Sequence, residues 1–240
     1  MRYSSKDCVL LVDGFNVLGV NTELSETREA VTEESTPFGA EWETHKYVGI
    51  QRTELTQTGF YDDASESINE ALNEKQGETR ILCLGFASDA VGKSFTGFEG
   101  NLQTKYERVA SRGELHKASA EYIGSGVVED GRILHPIMAR TADGDTRLTP
   151  VQHGGTSTNG AAYLQVVNLT LGGYTDATIR ILERNGGTWD TLDEFSAVSL
   201  LGAERIEISG TIQQDLAVEW KFNGAGASPS IEFFVGFVRY

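Results

Sequence analysis

The side chains that could carry chemistry are four histidines, two cysteines and a short glycine-containing loop. None of the histidines has the HExxH or i, i+4 spacing of a metal-binding helix; they are His45, His116, His135 and His153. No GxSxG nucleophile elbow occurs. Asp143, Gly144 and Asp145 lack the later glutamate of a calcium loop and are interpreted as a turn. We therefore expect a protein that is not an enzyme and needs no metal or cofactor.

Residues 87–94 (ASDAVGKS) fit a relaxed P-loop pattern in which Ala replaces the first Gly. A P-loop must open a helix, because the helix N-terminus holds the phosphate. Here the sequence continues as FTGFEG, without a helical stripe. We interpret the segment as a surface loop between strands rather than as a nucleotide site.

The charge balance argues against a nucleic-acid-binding protein. The chain of 240 residues has 35 acidic and 20 basic side chains, a net charge of −15. Binding phosphates requires a basic face, whereas an acidic surface can let DNA pass without adhesion. Cys8 and Cys83 lie in apolar runs without a CxxC motif and are interpreted as buried thiols. With no apolar run of membrane-spanning length and no signal-peptide pattern, we expect no membrane association and no export.

The elements that organise the chain are three long, polar strands. Residues 97–124 predict two strands joined at 111–113, and residues 48–61 predict another; none has a cleanly apolar face. A polar strand with an open edge risks aggregation, and barrel closure removes the edge. One chain is too short for a wide barrel, so we predict staves of a ring of several subunits around a wet bore. The predicted barrel positions are Arg52, Glu54, Thr56, Thr58, Gln103, Lys105, Glu107, Glu114, His116, Lys117 and Glu121.

Two further segments surround these strands. Residues 21–44 are long and acidic, and we predict an extended loop or loosely paired strands that serve as an assembly arm; a mobile solvated loop is the alternative. The arm residues are Glu26, Glu33, Glu34, Phe38 and Trp42. Residues 63–76 predict the helix, since Asp63 and Glu66 form a capping box and Gly77 supplies the stop.

Composition changes between residues 141 and 160, where Gly, Thr, Asp and Ser dominate. We predict a linker there, between a first domain (1–140) and a second (161–240). The later strands are short, alternate in hydrophobicity and are separated by turns, which predicts an antiparallel β-sandwich. Trp189 and Trp220 could form a sugar-stacking platform, although a strand tryptophan such as Trp220 is more often core; Trp189 is the candidate glycan contact.

The order of these parts resembles the tail tube (major tail) proteins of tailed bacteriophages over about residues 5–140. The matching features are an opening apolar strand, the acidic loop ending in Trp42, the strand 48–60, the helix from Asp63, and the segments GFEGNLQTKYERVAS and GELHKASAEYIGSG. The resemblance implies a mainly β fold: a tail-tube-type β-sandwich with one flanking α-helix, here followed by a C-terminal antiparallel β-sandwich that decorates the tube.

The resemblance also implies function and partners. Such proteins polymerise into stacked rings, usually hexamers, whose inner β-barrel conducts DNA during ejection without binding it specifically. We thus expect self-association, contacts with other tail proteins, assembly in the host cytoplasm and a place in the virion tail. The alternatives are a carbohydrate-binding adsorption protein, for which Trp189 would matter, and a capsid decoration protein, which would form no bore.

Overall fold

The structure is a computed structural model that describes residues 8–17, 21–36, 45–62, 68–86 and 88–240. Its helix is α1 (Ile68–Leu72), and the strands lie at β1 (Val9–Val12), β2 (Phe15–Asn16), β3 (Asn21–Glu34), β4 (His45–Phe60), β5 (Thr79–Gly85), β6 (Ser94–Val109), β7 (Lys117–Gly124), β8 (Val128–Arg140), β9 (Gly144–Asp145), β10 (Val151–Gln152), β11 (Ser157–Thr170), β12 (Asp176–Asn185), β13 (Thr188–Glu194), β14 (Gly202–Ile212), β15 (Asp215–Asn223) and β16 (Ser230–Arg239). Among the residues described, no helix is long and apolar enough to span a membrane.

The chain is mainly β, and its strands form two antiparallel sheets, which confirms the predicted fold class. The larger sheet has the order β14-β11-β16-β8-β6-β5-β1-β2, and β7, β4 and β3 continue from β6 as a second branch. The smaller sheet has the order β10-β15-β12-β13, with β9 paired to β15. The branch at β6 arises because this strand is long: Ser94 to Phe98 pair with β8, and residues beyond Gly100 pair with β7.

Within the described ranges, three apolar cores hold these layers together. The first lies between the two sheets in the C-terminal part and includes Trp220 and Phe233. The second lies between α1 and the sheet and includes Leu72 and Tyr122. The third fills the inside of the curled larger sheet; its members include Val9, Leu11, Cys83, Phe95, Ile133, Tyr163 and Phe234. Cys83 is a free thiol there, and burial raises its pKa, as expected for an inert core cysteine.

The two ends of the larger sheet contact each other. Gly14 N–H, in the turn between β1 and β2, donates to Oε1 of Gln165 on β11 (2.6 Å), and Nε2 of Gln165 donates to the Ile81 carbonyl (3.1 Å). Gly14 has φ +87°, and a Cβ there would lie 2.5 Å from Gly202 N. A side chain at this position would therefore force the two ends apart.

The structure refines two predicted segments. The acidic residues 21–34 form a long strand, β3, paired along its length with β4, so of the two predicted forms the described residues adopt paired strands. The helix was predicted to reach residue 76 and ends at Leu72; its first predicted residues, 63–67, lie outside the described part. The left-handed φ of Glu74 (+59°) breaks the helix, and side chains from the sheet satisfy its last carbonyls: Arg80 Nη2 donates to Ala71 (2.9 Å) and Gln103 Nε2 to Leu72 (2.7 Å).

The division into two domains stays a prediction. The larger sheet contains strands from both sides of residue 140, since β8 pairs with β6 on one edge and with β16 on the other. The predicted linker contains β9 and β10, which pair with β15. The hydrogen-bonded network is therefore continuous across the change in composition.

Candidate assembly surface

One face of the four-stranded sheet β3-β4-β7-β6 is open to solvent. Along β4, alternate side chains point to opposite faces of the sheet: Thr53, Leu55 and Gln57 are buried on the helix side. The predicted barrel positions of β4 occupy the other face, with Arg52 and Thr56 exposed and Glu54 and Thr58 half-buried. The predicted positions of this strand thus share the solvent face.

The register places polar side chains in rows across this face. In one row Ser25, Thr56, Glu121 and Lys105 face one another on successive strands; in the next, Glu23, Thr58, Ser119 and Glu107 do so. Nζ of Lys105 lies 2.8 Å from Glu107 and 3.1 Å from Glu121. Hydrogen bonds to Glu107 and then Glu121 raise the pKa of Lys105, so this cation stays charged within an acidic surround.

The face is polar and moderately acidic. Arg52 forms an ion pair with Glu54 on the same strand. The charged side chains whose registers place them on this face are Glu23, Glu29, Glu54, Glu107 and Glu121 against Arg52, Lys105 and Lys117. The excess of carboxylates opposes adhesion of phosphates.

The prediction that Gln103 faces solvent is wrong. A register shift between Gln103 and Lys105 places an additional residue in β6, so the alternation reverses there. Gln103 consequently pairs with the buried Tyr122, is fully buried under α1 and accepts from Arg80 Nη1 (2.9 Å). Arg80, also buried, forms an ion pair with Asp13, so this side of the sheet is closed by the chain itself.

Glu114 and His116 lie outside the strands, in the connection between β6 and β7, where both are exposed. The carbonyl of His116 accepts from Tyr61 N–H (2.9 Å). Lys117 is exposed at the first position of β7, in the row with Phe60 and Val109. Glu114 and His116 thus lie beyond one end of the sheet, whereas Lys117 lies on the open face at that end.

Both edges of the four-stranded sheet are open within the part of the chain that the structure describes. β3 pairs with β4 alone, and residues 105–109 of β6 pair with β7 alone. Each edge therefore presents backbone N–H and C=O groups that a further strand could pair with. Sequence alternation indicated the polar face but carried no information about which strands form the edges.

The predicted assembly arm is a projecting hairpin. Beyond Arg52 and Glu29, β3 and β4 pair only with each other, up to Glu34 opposite His45. Glu33 and Glu34 are exposed on it, whereas Glu26 is half-buried at its base. Phe38 and Trp42, also predicted for the arm, lie outside the described residues.

Arg28 attaches the base of this hairpin to the rest of the protein. Its guanidinium donates to both carboxylate oxygens of Asp130 on β8 (2.9 Å each) and to Thr96 (3.1 Å). The hydrogen bond from Arg28 lowers the pKa of Asp130. This bidentate pair fixes the direction in which the hairpin leaves the sheet.

A cationic surface pocket lies at the opposite end of the sheet. It has a volume of about 210 Å³ and is lined by Tyr61, Arg108, Val109, Ala110, His116 and Lys117. No carboxylate lines it. Arg108 and Lys117 form no ion pair with any described residue, unlike Lys105 and Arg52 nearby. Sequence spacing gave no indication of this pocket, because its lining comes from three separate segments.

The remaining candidates do not assemble into a site. Trp220 is buried in the first core, in a T-shaped contact with His135, and cannot join a sugar platform with Trp189, which is half-buried on β13. The P-loop-like stretch is followed by the strand β6, not by a helix. In the described ranges, no group of three His, Cys, Asp or Glu side chains is arranged to hold a metal ion.

Comparison with solved structures finds likenesses of low identity. A protein of the virion of a native gene transfer agent particle aligns with a TM-score of 0.43 and 13% identity, over 53% of this chain and 97% of that protein. A protein from the tail of an empty gene transfer agent particle, computed with C6 symmetry, aligns with a TM-score of 0.41 and 12% identity, over 53% of this chain and 97% of that protein. The SPP1 Dit protein, described as a hub of the adsorption apparatus, aligns with a TM-score of 0.32 and 13% identity, over 96% of this chain and 98% of that protein.

A scan against protein-family models finds no match, and a search of curated proteins finds none.

Proposed function

We propose that this chain is a structural subunit of a phage-type tail tube, with the open face of the β3-β4-β7-β6 sheet lining the bore. The observation that supports this most is the combination of an exposed polar face with two open edges. A long sheet of this kind gains hydrogen-bond partners when copies join side by side. Since the opposite face is covered by α1 and the second core, the sheet has one free face to turn inward.

The strand directions suit closure of a ring. Neighbouring strands in the order β3-β4-β7-β6 are all antiparallel. Because the number of strands is even, β3 of one copy would meet β6 of the next copy in antiparallel orientation when the copies are related by rotation. Such copies form one continuous antiparallel barrel without edges.

The dimensions also fit a conduit. Six copies, the number that the resemblance implies, would supply 24 strands. With strands about 4.8 Å apart and tilted by about 40°, the backbone barrel would be about 50 Å across. Side chains that point inward would reduce the open diameter of the bore to about 40 Å, which is wide enough for an extended DNA duplex. The net negative face then keeps the duplex from adhering as it passes.

Electron microscopy of the purified chain tests this proposal. We expect rings or tubes that show an open centre in end-on views. Compact trimers or monomers without a bore, at every protein concentration and salt tried, would contradict it and favour a decoration protein.

Cysteine labelling tests which face lines the bore. In a Cys8→Ser background, Thr56→Cys would place a thiol on the open face, and Asp190→Cys, on exposed β13, would serve as the control. A small maleimide should label both in tubes, whereas a maleimide-coated gold particle wider than the bore should label only the control. Equal labelling of both positions by the particle would place the open face outside.

A further inference from the structure

Basic side chains meet at one end of the space between the two sheets. On the larger sheet, Arg132 lies opposite Phe237, a member of the first core, so its side chain faces the smaller sheet. Arg239 lies two residues beyond Phe237 on β16 and shares that face. On the smaller sheet, His153 follows two residues after Val151, which points into the first core. Burial, and then the charges of Arg239 and Arg132, lower the pKa of His153, which brings all three together as the sandwich-end cluster.

Hydrogen bonds to neutral acceptors hold the two arginines of the cluster in place. Arg239 uses both Nη atoms, which donate to the carbonyls of residues 212–214 and to Ser157 Oγ (3.2 Å). Arg132 donates through Nη1 alone, and the shorter of its two bonds is to Ser94 Oγ (2.9 Å). The Nε and Nη2 groups of Arg132, which is exposed, are therefore free to bind a ligand within the part of the chain that the structure describes.

The cluster has no counter-ion, although the chain has a net charge of −15. Neither Arg132 nor Arg239 forms an ion pair with a described residue. The registers place two carboxylates on the same faces. Asp130 is already bound by both guanidinium donors of Arg28. Glu183 accepts a backbone N–H (2.7 Å) and acts on Arg239 only through its charge. The positive charge of the cluster is thus left for a ligand.

The free donors of the cluster suit an anion with oxygens in several directions. They come from Arg132 on the larger sheet and from His153 beside the smaller one, and Nδ1 of His153 is buried without a partner among the described residues. The next two residues, Gly154 and Gly155, are exposed, and neither N–H donates to a described carbonyl. A planar carboxylate takes both of its bonds from one guanidinium, whereas a tetrahedral oxyanion can accept from both sides at once.

We propose that the sandwich-end cluster binds a tetrahedral oxyanion of the phosphate or sulfate class. Arg132 and His153 donate to its oxygens, and Arg239, whose Nη donors are occupied, adds a positive charge beside it. The ligand is a free anion or the phosphate group of a larger molecule, since the recognising chemistry is the same. The site is separate from the open sheet face and does not depend on the tail tube proposal.

Titration calorimetry with sodium sulfate, at an ionic strength kept constant with chloride, tests the site. The wild type should bind one sulfate per chain. Arg132→Gln should weaken binding at least about tenfold, because it removes charge-assisted hydrogen bonds and one positive charge. Arg108→Gln makes the same change in net charge at an exposed arginine of the four-stranded sheet and should bind sulfate like the wild type.

The pH dependence of binding reports the role of His153. A bound anion favours the protonated ring and so raises the pKa of His153 above its value of about 4 in the free protein. Binding then takes up a proton as the pH falls, so we expect the affinity for sulfate to increase about fourfold from pH 7.5 to 5.5. His153→Gln should still bind sulfate at the higher pH but should lose this increase.

Further titrations identify the form of the anion. Methyl phosphate represents a terminal phosphate and dimethyl phosphate a phosphodiester of a polymer; binding of either supports the site and names the source. Acetate should bind at least about tenfold more weakly than sulfate, because it is planar and carries a single charge. The proposal is overturned if sulfate or both esters fail to bind, or if acetate binds as tightly as sulfate. Equal losses in Arg132→Gln and Arg108→Gln, or an unchanged pH dependence in His153→Gln, would also overturn it.

Discussion

Gln103 and Arg80 join the sheet to the end of α1 through buried hydrogen bonds. Replacing Gln103 by Leu preserves approximate volume but leaves a guanidinium N–H and the Leu72 carbonyl without their partner. Because unsatisfied buried polar groups cost about 1–3 kcal/mol each, we expect Gln103→Leu to lower the free energy of unfolding by about 3 kcal/mol. Urea unfolding measures this change. The exposed Gln152→Leu is the control and should stay within about 0.5 kcal/mol of the wild type; an equal loss in both would contradict the role given to Gln103.

His135 is a buried histidine whose surroundings favour the neutral ring. It stacks on Phe233 with centroids 4.1 Å apart, its Nδ1–H donates to the Phe233 carbonyl (3.2 Å), and Nε2 accepts from Arg140 Nε (2.9 Å). Burial, and then the charge of Arg140, lowers its pKa to about 4. The unfolded chain binds this proton near pH 6.5. The unfolded state therefore holds more protons between these values, and stability falls as pH drops from about 6.5 towards 4.

His135→Gln should weaken this pH dependence. The amide can still donate and accept but does not titrate, so the loss of unfolding free energy from pH 7 to 4.5 should shrink by about 2–3 kcal/mol. Burial and then the charge of Arg239 also lower the pKa of His153 to about 4. The free energy of unfolding of the variant should therefore still fall with pH, but less steeply. Chemical unfolding at the two pH values gives the comparison. His116→Gln, at an exposed site, should follow the wild type; parallel curves for all three proteins would refute the assignment.

At the scale of elements, the projecting hairpin depends on its attachment through Arg28. Arg28→Gln removes both bonds to Asp130, and exposed bidentate pairs contribute about 1 kcal/mol. We expect amides of β3 to exchange with solvent about fivefold faster, since the hairpin base opens more often. Hydrogen exchange read by mass spectrometry measures this. Asp130→Asn should have a similar effect, whereas Arg52→Gln, whose pair lies within β4, should not; unchanged exchange in the first two would show that packing alone holds the hairpin.

Sequence alternation predicted the open face of β4 because each residue of that strand obeys a period of two. It misplaced Gln103, since the extra residue before Lys105 depends on the hydrogen bonds that Gln103 makes to Arg80 and α1 across the chain. It also predicted a longer helix, because the glycine stop at Gly77 reports local preference, whereas the backbone already turns left-handed at Glu74 and Gln103 from a distant strand satisfies the Leu72 carbonyl. The cationic pocket needed the fold, because it brings Tyr61, just after β4, beside the end of β6 and the start of β7.

At the scale of the whole molecule, a buried ionic network ties the larger sheet together across the predicted domain boundary. Glu129 on β8 accepts from Arg205 on β14 (2.9 Å) and from the Tyr163 hydroxyl on β11 (2.5 Å). Tyr240, at the end of the chain, also donates to Glu129. Both charged side chains are 3% exposed, and Arg205 has a raised pKa because its hydrogen bonds to Glu129 and Glu207 outweigh burial. The network therefore stabilises the fold only while both partners are present.

Arg205→Met should lower the free energy of unfolding by about 3–5 kcal/mol, because it leaves the Glu129 carboxylate buried without its cation. We further expect one cooperative transition, since β8 belongs to strands on both sides of residue 140. With Trp42 and Trp189 replaced by Phe, Trp220 fluorescence reports the first core, and far-UV circular dichroism reports all strands. Leu72→Ala, in the second core, should shift the Trp220 midpoint as well. Separate midpoints for the two probes, or a Trp220 midpoint indifferent to Leu72→Ala, would show instead that the chain unfolds as the two domains its composition predicts.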